Sequence, residues 1–262
     1  MPQKYVYYPQ RFQSAAQYYS KGRPTYPPRL IQDIAREVNL FPSHRVLDLG
    51  TGPGFLAIDF AAYAGEVIGV DPALEMLEVA RTNAETAGLK VTFLQGSSNE
   101  LSPELGIFQV AVIGRAFHWM DREKTLDSLD ALIRPGGAVV LFSESNPDLP
   151  ANAWAPIFQK VLDTYAANDP ARPQIRSGHR HEAVLLDSKF SHLKKIIVYE
   201  RRATPLERFV DRALSYASVW AGTPDLNPQE VGERVISHLE SFATNGVIHE
   251  VVAGEALIGR RT

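Results

Sequence analysis

Two aspartates and a glycine turn are the residues whose types and spacing suggest chemistry. The turn reads Gly50-Thr51-Gly52-Pro53-Gly54, and Asp48 stands two residues before it. Asp71 follows 23 residues after Asp48. Glycines adopt backbone dihedral angles closed to other residues and let the chain approach a ligand closely. A carboxylate such as Asp71 suits the two hydroxyls of a ribose, so the pattern indicates a nucleoside-like ligand.

The spacing distinguishes between two kinds of nucleotide ligand. A dinucleotide fingerprint, G-x-G-x-x-G, needs its third glycine at position 55, where this chain has Phe55. Pyrophosphate prefers backbone amides without a nearby carboxylate, whereas Asp48 suits a ligand with a cationic ammonium, as methionine has. The turn therefore favours a methionine-bearing nucleoside over NAD. The alternative is that the acids only cap helices and the glycines only form a tight turn.

Alternating strands and helices must position these residues. Apolar runs predict strands at 46–49, 67–70, 91–94, 110–113, 138–142 and 193–202, with a last strand or strand pair at 247–258. Helical spacing predicts helices at 55–64, from Asp71-Pro72 onward, at 121–133 and at 151–167. This alternation predicts an α/β fold with a parallel sheet covered on both faces. Ligands of such sheets bind at the carboxyl ends of the strands.

The chain after the fifth predicted strand is less regular. The arginine-rich stretch 170–181 is predicted to be a loop. A capping box at the start of a helix is predicted at Thr204-Pro205-Leu206-Glu207. A second capped helix start is predicted at Asn227-Pro228-Gln229-Glu230. Two helices are therefore predicted before the last strand.

Composition excludes several classes of protein. The 262 residues carry a net charge of -3 and no cysteine. Without a basic excess a nucleic-acid partner is disfavoured, and disulfides, thiolate metal sites and cysteine nucleophiles are excluded. No window approaches 18 consecutive apolar residues, and the first ten residues lack the apolar core of a signal peptide. We therefore expect a cytoplasmic protein with no membrane contact.

These motifs resemble those of the class I S-adenosylmethionine-dependent methyltransferases. The stretch 48–54 is similar to their first motif, Gly69-Val70-Asp71 to the second, and Arg134-Pro135-Gly136-Gly137 to the turn before the fifth strand. Tyr19 to Pro27 resembles the Y-x-x-x-R-P-x-Y-P segment that crosses the active site in the trans-aconitate-methyltransferase-like small-molecule branch. The stretch Ala116-Phe117-His118-Trp119 is similar to a motif that recurs after the fourth strand in the same branch.

The resemblance implies one methyltransferase domain over residues 1–262. Its fold would be a Rossmann-like, seven-stranded, mostly parallel sheet with the last strand antiparallel and helices on both faces. An N-terminal cap segment is expected at about 11–28 and a cofactor-binding core at about 29–146. A helical lid, inserted between strands six and seven, is expected at about 204–245.

The resemblance also implies S-adenosyl-L-methionine as cofactor. Asp71 would hold the ribose, Asp48 the ammonium, and Tyr19 with Arg23 the methionine carboxylate. Where relatives commonly carry an aspartate for the adenine amino group, this chain offers serine hydroxyls. The implied cofactor-binding residues are Tyr19, Arg23, Asp48, Gly50, Gly52, Asp71, Pro72, Ser97 and Ser98.

The methyl acceptor is predicted to be a small molecule that reacts through an oxygen or nitrogen atom. Cytosine C5 methylation needs a cysteine, and this chain has Gly114-Arg115-Ala116-Phe117 in place of the Asn/Asp-Pro-Pro-aromatic motif of nucleobase amino methyltransferases. Trp119, Tyr216 and Trp220 are predicted to bind the acceptor, with scaffold packing as the alternative.

Polar residues after the fourth and fifth strands are further candidates. His118 is predicted to be a general base, the alternative being a histidine hydrogen-bonded to the scaffold. Arg115 is expected to face solvent or pair with the scaffold, and Glu144 is a candidate second polar contact. No spacing of histidine and carboxylate resembles a metal site.

Two rival functions stay open at this point. One is a non-catalytic S-adenosylmethionine-binding protein, because intact motifs do not prove turnover. The other is a nucleotide-cofactor oxidoreductase, against which Phe55 and Asp48 count. The sequence does not indicate an oligomeric state.

Overall fold

A seven-stranded sheet runs through the computed structural model, which describes residues 12–171 and 181–261. Its strands are β1 (Arg45–Leu49), β2 (Glu66–Asp71), β3 (Thr92–Gln95), β4 (Phe108–Gly114), β5 (Ile133–Ser145), β6 (His192–Pro205) and β7 (Val247–Arg260). They lie in the order β3-β2-β1-β4-β5-β7-β6. β7 pairs antiparallel with β5 and β6, while β1 to β5 pair in parallel. The predicted mostly parallel sheet with an antiparallel last strand is confirmed.

The helices lie before, between and after these strands. In the described ranges they are α1 (Gln13–Gly22), α2 (Pro28–Glu37), α3 (Phe55–Phe60), α4 (Leu74–Thr86), α5 (Arg122–Leu132), α6 (Ala155–Tyr165), α7 (His181–Leu186), α8 (Leu206–Leu214), α9 (Ala217–Gly222) and α10 (Pro228–Leu239). None of these helices is long and apolar enough to span a membrane.

Helices cover both faces of the sheet, as predicted. In β4, Val110 and Val112 pack into one core while Ala111 and Ile113 pack into the other. This alternation follows from the period of two along a strand, and burial on both sides explains the nearly continuous apolar run. The first core receives apolar residues of α2, α3 and α4, and the second receives those of α5 and α7.

A third core lies among the helices near the end of the chain. It joins α8, α9 and α10 to α6, which precedes β6 in the sequence. Trp154 packs edge to face on Phe209, with ring centroids 4.7 Å apart, and Phe158 packs on the same ring at 5.9 Å. The helical layer is therefore larger than predicted, with three helices between β6 and β7 and a fourth from before β6.

The capping box predicted at residues 204–207 is wrong. Thr204 belongs to β6, and its hydroxyl donates to Glu250 Oε1 at 2.6 Å instead of capping a helix. The N-cap of α8 is Pro205, which has no side-chain cap bond. The cap predicted at Asn227 is confirmed, since its Oδ1 accepts a hydrogen bond from the Gln229 amide at 3.0 Å.

Four further segments differ from expectation or lie outside the described residues. The helix after β2 begins at Leu74 with Ala73 as its N-cap, so Asp71 is not the cap residue. The stretch Arg134–Gly137 lies within β5 at a shift in register with β4 and not in a turn before it. Residues 13–22, which belong to the expected N-terminal cap segment, form the helix α1, which packs on α8. Most of the predicted loop 170–181 lies outside the described residues.

Candidate active site

The glycine turn after β1 forms the floor of a cleft at the carboxyl edge of the sheet. Gly50 and Gly52 have φ angles of +70° and +53°, in the region that favours glycine. The amides of Gly50 and Thr51 donate to the carbonyl of Val70 at 2.8 and 3.0 Å, which ties the turn to β2. A Cβ at Gly50 would lie 2.6 Å from the Ala116 Cβ, whereas at Gly52 it would meet nothing within 4 Å. Gly52 therefore leaves open space beside the turn.

Asp71 lies at the end of β2 and joins two backbone segments that border the cleft. Its Oδ2 accepts from the Gly52 amide and its Oδ1 from the Ala73 amide, both at 2.9 Å. Burial raises the pKa of this carboxyl, although the hydrogen bonds from Ala73 and Gly52 act in the opposite direction. A carboxylate oxygen accepts more than one hydrogen bond. Asp71 thus retains capacity for hydroxyl groups of a ligand.

Asp48 is buried beneath the same turn. Its Oδ2 accepts from the Thr51 hydroxyl at 2.6 Å and from the Ala57 amide at 3.0 Å. Burial raises the pKa of Asp48 to about 7, while these two hydrogen bonds lower it in part. In the described ranges no ion pair involves Asp48.

The cleft has an empty volume of about 720 Å³, open solvent included. Eight of the residues predicted to bind cofactor or acceptor line it, namely Tyr19, Gly50, Gly52, Asp71, Pro72, Ser97, Ser98 and Trp119. Asp48 lines a smaller adjoining lobe together with Tyr19, Gly50 and Gly52. The structure therefore brings the two strand-end acids, the glycine turn and the serines of the third strand's loop to one place.

Four predicted site residues do not line the cleft. Arg23 lies 3.6 Å from the centre of the Tyr216 ring, and Trp220 donates from Nε1 to the Leu214 carbonyl at 2.7 Å. Tyr216 and Trp220 both pack against the third core. His118 stands on a single 3₁₀ turn after β4, with its ring centroid 4.8 Å from that of Trp119. The roles of these four residues remain predictions.

The end of the cleft beyond Asp71 offers hydroxyls and apolar surface. The Ser97 hydroxyl donates to Glu100 Oε2 at 2.8 Å, and Ser98 is buried. Apolar residues that the sequence did not predict to contact a ligand also line the cleft, among them Phe12, Met76, Ala116 and Met120. Met76 lies on the buried face of α4, and Phe12 meets Trp119 edge to face at 5.8 Å. Helical periodicity signals the burial of Met76 but not its contact with a ligand.

Arg115 and Glu144 form a half-buried ion pair at the border of the cleft. Arg115 Nη1 lies 2.9 Å from Glu144 Oε2, and both side chains are 13 % exposed. Arg115 lines the cleft and its adjoining lobe. The expectation that Arg115 pairs with the scaffold agrees with this contact. Within the described ranges, no group of three histidine, aspartate or glutamate residues is placed to hold a metal ion.

Comparison with known proteins shows what the central part of the chain resembles. Residues 46–137 match the sequence profile of a methyltransferase domain. An uncharacterized methyltransferase of Mycobacterium tuberculosis is 34% identical over 131 residues, which cover 50% of each chain. A demethylmenaquinone methyltransferase of Thermus thermophilus is 38% identical over 125 residues, 45% of this chain and 56% of that protein. The chain thus spans about half the length of the curated relatives that it matches.

Solved structures share the fold over nearly the whole chain. S-adenosylmethionine-dependent methyltransferases of Thiobacillus denitrificans and Geobacter sulfurreducens, each in complex with S-adenosyl-L-homocysteine, superpose with TM-scores of 0.51 and 0.52. Each alignment covers 98% of this chain and 100% of the other, at 19% and 18% identity. The trans-aconitate-like branch stays a prediction. Residues 46–137 therefore resemble a methyltransferase domain, and the chain shares the fold of these S-adenosylmethionine-dependent methyltransferases.

Proposed function

We propose that this chain is an S-adenosylmethionine-dependent methyltransferase that transfers a methyl group to an oxygen or nitrogen atom of a small-molecule acceptor. The observation that carries the proposal is the meeting of Asp71, Asp48 and the Gly50–Gly52 turn at one cleft. Such a cleft at the carboxyl edge of an α/β sheet is where nucleotide-like ligands bind. The methyltransferase profile over residues 46–137 supports the same function.

The residues of the cleft fit the chemical groups of this cofactor. The open space beside Gly52 admits a ligand close to the backbone, and Asp71 has acceptor capacity for two ribose hydroxyls. Asp48 supplies a negative charge at the adjoining lobe, where a ligand ammonium would balance it. Ser97 and Ser98 offer hydroxyls, which are weaker partners for an adenine amino group than a carboxylate.

For catalysis at this site the protein must align the acceptor with the methyl group and exclude water, and it need not form a covalent bond itself. When bound, the cofactor would supply a methyl group on a sulfonium, and Asp71, Asp48 and the Gly50–Gly52 turn would hold it. Trp119, Phe12 and Tyr19 line the cleft with aromatic surface that excludes water. We include in the proposal that residues 11–28 and 204–245 act as a cap and a lid over the site.

Calorimetry tests the cofactor assignment. S-adenosyl-L-homocysteine should bind saturably and NAD should not, because the turn lacks a third glycine at position 55 and has the Asp48 carboxylate beside it. Saturable NAD binding at this cleft would favour the oxidoreductase alternative. Incubation with labelled S-adenosylmethionine and a metabolite extract should then yield a labelled product, whereas a non-catalytic binding protein would yield none.

Replacing Asp71 with alanine should weaken S-adenosyl-L-homocysteine binding by at least about tenfold, or about 1.5 kcal/mol, because two ribose hydroxyls lose their acceptor. Calorimetry of the variant gives the dissociation constant directly. Asp59→Ala is the matched control, since Asp59 lies on α3 and does not line the cleft. An affinity in Asp71→Ala equal to that of the control would remove Asp71 from the site.

Replacing His118 with alanine should lower turnover by roughly 10²-fold while cofactor affinity stays within about threefold. The reason is the position of His118 beside Trp119, which lines the cleft, so that the imidazole would accept a proton from the acceptor. Rates are measured with the acceptor found by labelling, and His44→Ala, at the opposite edge of the sheet, is the control. Joint loss of affinity and thermal stability would make His118 structural, and unchanged turnover would indicate an intrinsically nucleophilic nitrogen acceptor.

A further inference from the structure

Arg115 has a backbone conformation that is rare for a residue with a side chain. It follows β4 directly, and its φ angle is +55°. Its amide donates to the carbonyl of Phe142 at 3.0 Å, which fixes this conformation against β5. Non-glycine residues held in the left-handed region persist only where their surroundings determine them, and they cluster at functional sites. The surroundings of Arg115 therefore hold its backbone in a conformation that is typical of functional sites.

The Arg115 side chain joins the edge of the sheet to the segment that follows α1. Its Nη1 donates to Glu144 Oε2 at 2.9 Å and to the carbonyl of Pro24 at 3.1 Å. Glu144 belongs to β5, whereas Pro24 lies between α1 and α2. One nitrogen thus connects a rigid strand to a connecting segment.

Two aromatic rings flank the guanidinium, and both belong to residues 19–26, the segment formed by the end of α1 and the connection to α2. The Arg115 Cζ lies 5.6 Å from the centre of the Tyr19 ring and 5.1 Å from that of Tyr26. A guanidinium at this distance is attracted to the ring face. Tyr19 and Arg115 both line the cleft. Arg115 therefore contacts the segment at the place where the segment borders the ligand site.

Other arginines contact the segment away from the cleft. Arg202 of β6 donates to the Thr25 carbonyl at 2.9 Å, and Arg208 of α8 donates to the Lys21 carbonyl at 3.3 Å. Neither of these arginines lines the cleft or its adjoining lobe. Arg115 thus differs from them in joining the segment to the ligand site itself.

Glu144 determines where the guanidinium stays. A half-buried arginine without a counter-charge would turn towards water, since burial of an unpaired charge is costly. Glu144 is held in β5 opposite Gly254 of β7, well inside the antiparallel ladder. The carboxylate is therefore a fixed anchor for Arg115, and Arg115 in turn is a fixed anchor for Pro24 and Tyr19.

We propose that Arg115 and Glu144 are a positioning pair that holds residues 19–26 in place over the cleft. The pair acts through Tyr19 and the Pro24 carbonyl, and it makes no contact with the reacting atoms. The ligand-binding half of this proposal rests on the proposed function, because it takes S-adenosyl-L-homocysteine as the ligand. The half that concerns the free protein does not.

Glu144→Gln and Arg115→Lys test the pair. Glutamine removes the counter-charge, and lysine keeps the positive charge but loses the planar fork. Hydrogen exchange of residues 13–26 in the free protein should become at least about fivefold faster in both variants, and S-adenosyl-L-homocysteine should bind at least about fivefold more weakly. Glu66→Gln is the control, because Glu66 pairs with Arg45 at the opposite edge of the sheet. It should change neither quantity.

Two results would overturn the proposal. Exchange of residues 13–26 at the wild-type rate in both variants would show that the pair does not hold the segment. Weaker binding with unchanged exchange would show that Arg115 contacts the ligand directly. If Glu144→Gln does not fold, Arg115→Lys alone decides. A wild-type protein that fails to bind S-adenosyl-L-homocysteine would contradict the proposed function, and the exchange measurement on the free protein would still decide the role of the pair.

Discussion

Replacing Glu250 with glutamine should lower the free energy of unfolding by about 3–5 kcal/mol, because the change leaves a buried arginine without its counter-charge. Arg212 of α8 donates to both oxygens of Glu250, at 2.9 and 2.7 Å, and the two side chains are 6% and 0% exposed. The Thr204 hydroxyl and the Asn146 amide donate to the same carboxylate. This network joins the helical layer to β7.

Denaturation by guanidinium chloride at pH 7 measures the effect. Asp33→Asn is the matched control, since Asp33 pairs with Arg29 on the surface of α2 and its loss should cost less than about 0.5 kcal/mol. The double variant Arg212→Met with Glu250→Leu should recover part of the loss, because it removes both charges together. A single variant as stable as the control would mean that the pair contributes little to the fold.

The contribution of Glu250 to the free energy of unfolding should decrease as the pH falls. Burial raises its pKa, but the hydrogen bonds and charge of Arg212 outweigh burial, and the pKa lies below its ordinary value. A carboxyl whose pKa is lowered by folding stabilises the protein above its unfolded pKa, about 4.3 for glutamate. That stabilisation is lost as the pH falls through the folded pKa. The difference between wild type and Glu250→Gln should therefore shrink in acid.

Local sequence patterns predicted the part of the fold that depends on local spacing. Buried strands of a parallel sheet read as apolar runs, and the acid at the end of β2 stands at a fixed distance from the glycine turn. The positions of Asp71 and Gly52 in one cleft follow from this order of elements. The N-cap at Asn227 is equally local, because the capping oxygen and the amide it accepts from are two residues apart.

Contacts between distant residues explain what the sequence did not reveal. Arg115 and Glu144 are 29 residues apart and Arg212 and Glu250 are 38 apart, so no local period connects them. The capping box failed for the same reason, since the Thr204 hydroxyl is bound to Glu250 across the sheet. Phe12 reaches the cleft only because α1 packs against the helical layer. Its position is a consequence of tertiary packing that side-chain spacing does not encode.

The second large effect is expected at Asp48, where removal of the carboxylate charge should raise the free energy of unfolding. The carboxyl is 1 % exposed, and burial raises its pKa to about 7. Between the ordinary pKa of about 3.9 and the folded value, the native state holds a proton that the unfolded state has released. Stability therefore falls as the pH rises through this window. Above it, a charged Asp48 costs the free protein about 2–4 kcal/mol, since each pKa unit corresponds to about 1.4 kcal/mol.

Asp48→Asn should accordingly stabilise the free protein by about 2–4 kcal/mol at pH 8 and change little at pH 4. The amide oxygen still accepts from Thr51 and Ala57, so the turn keeps its two hydrogen bonds. Binding should respond in the opposite direction, because the variant has no charge to meet a ligand ammonium. We expect S-adenosyl-L-homocysteine to bind wild type more tightly at pH 8 than at pH 6, and the variant weakly at both.

The matched control separates burial from ligand contact. Burial also raises the pKa of Asp59 to about 6, but Asp59 lies on α3 and lines neither the cleft nor its lobe. Asp59→Asn should therefore stabilise the free protein and leave the affinity at pH 8 unchanged, although loss of the Asp59 charge removes one of the smaller causes that raise the pKa of Asp48. For wild type, Asp48→Asn and Asp59→Asn, denaturation at pH 4 and pH 8 measures the free energy of unfolding. Calorimetry at pH 6 and pH 8 measures the affinity for S-adenosyl-L-homocysteine. If Asp48→Asn gains stability and binds as wild type does, Asp48 is a buried scaffold acid, and the ammonium of the ligand is held elsewhere.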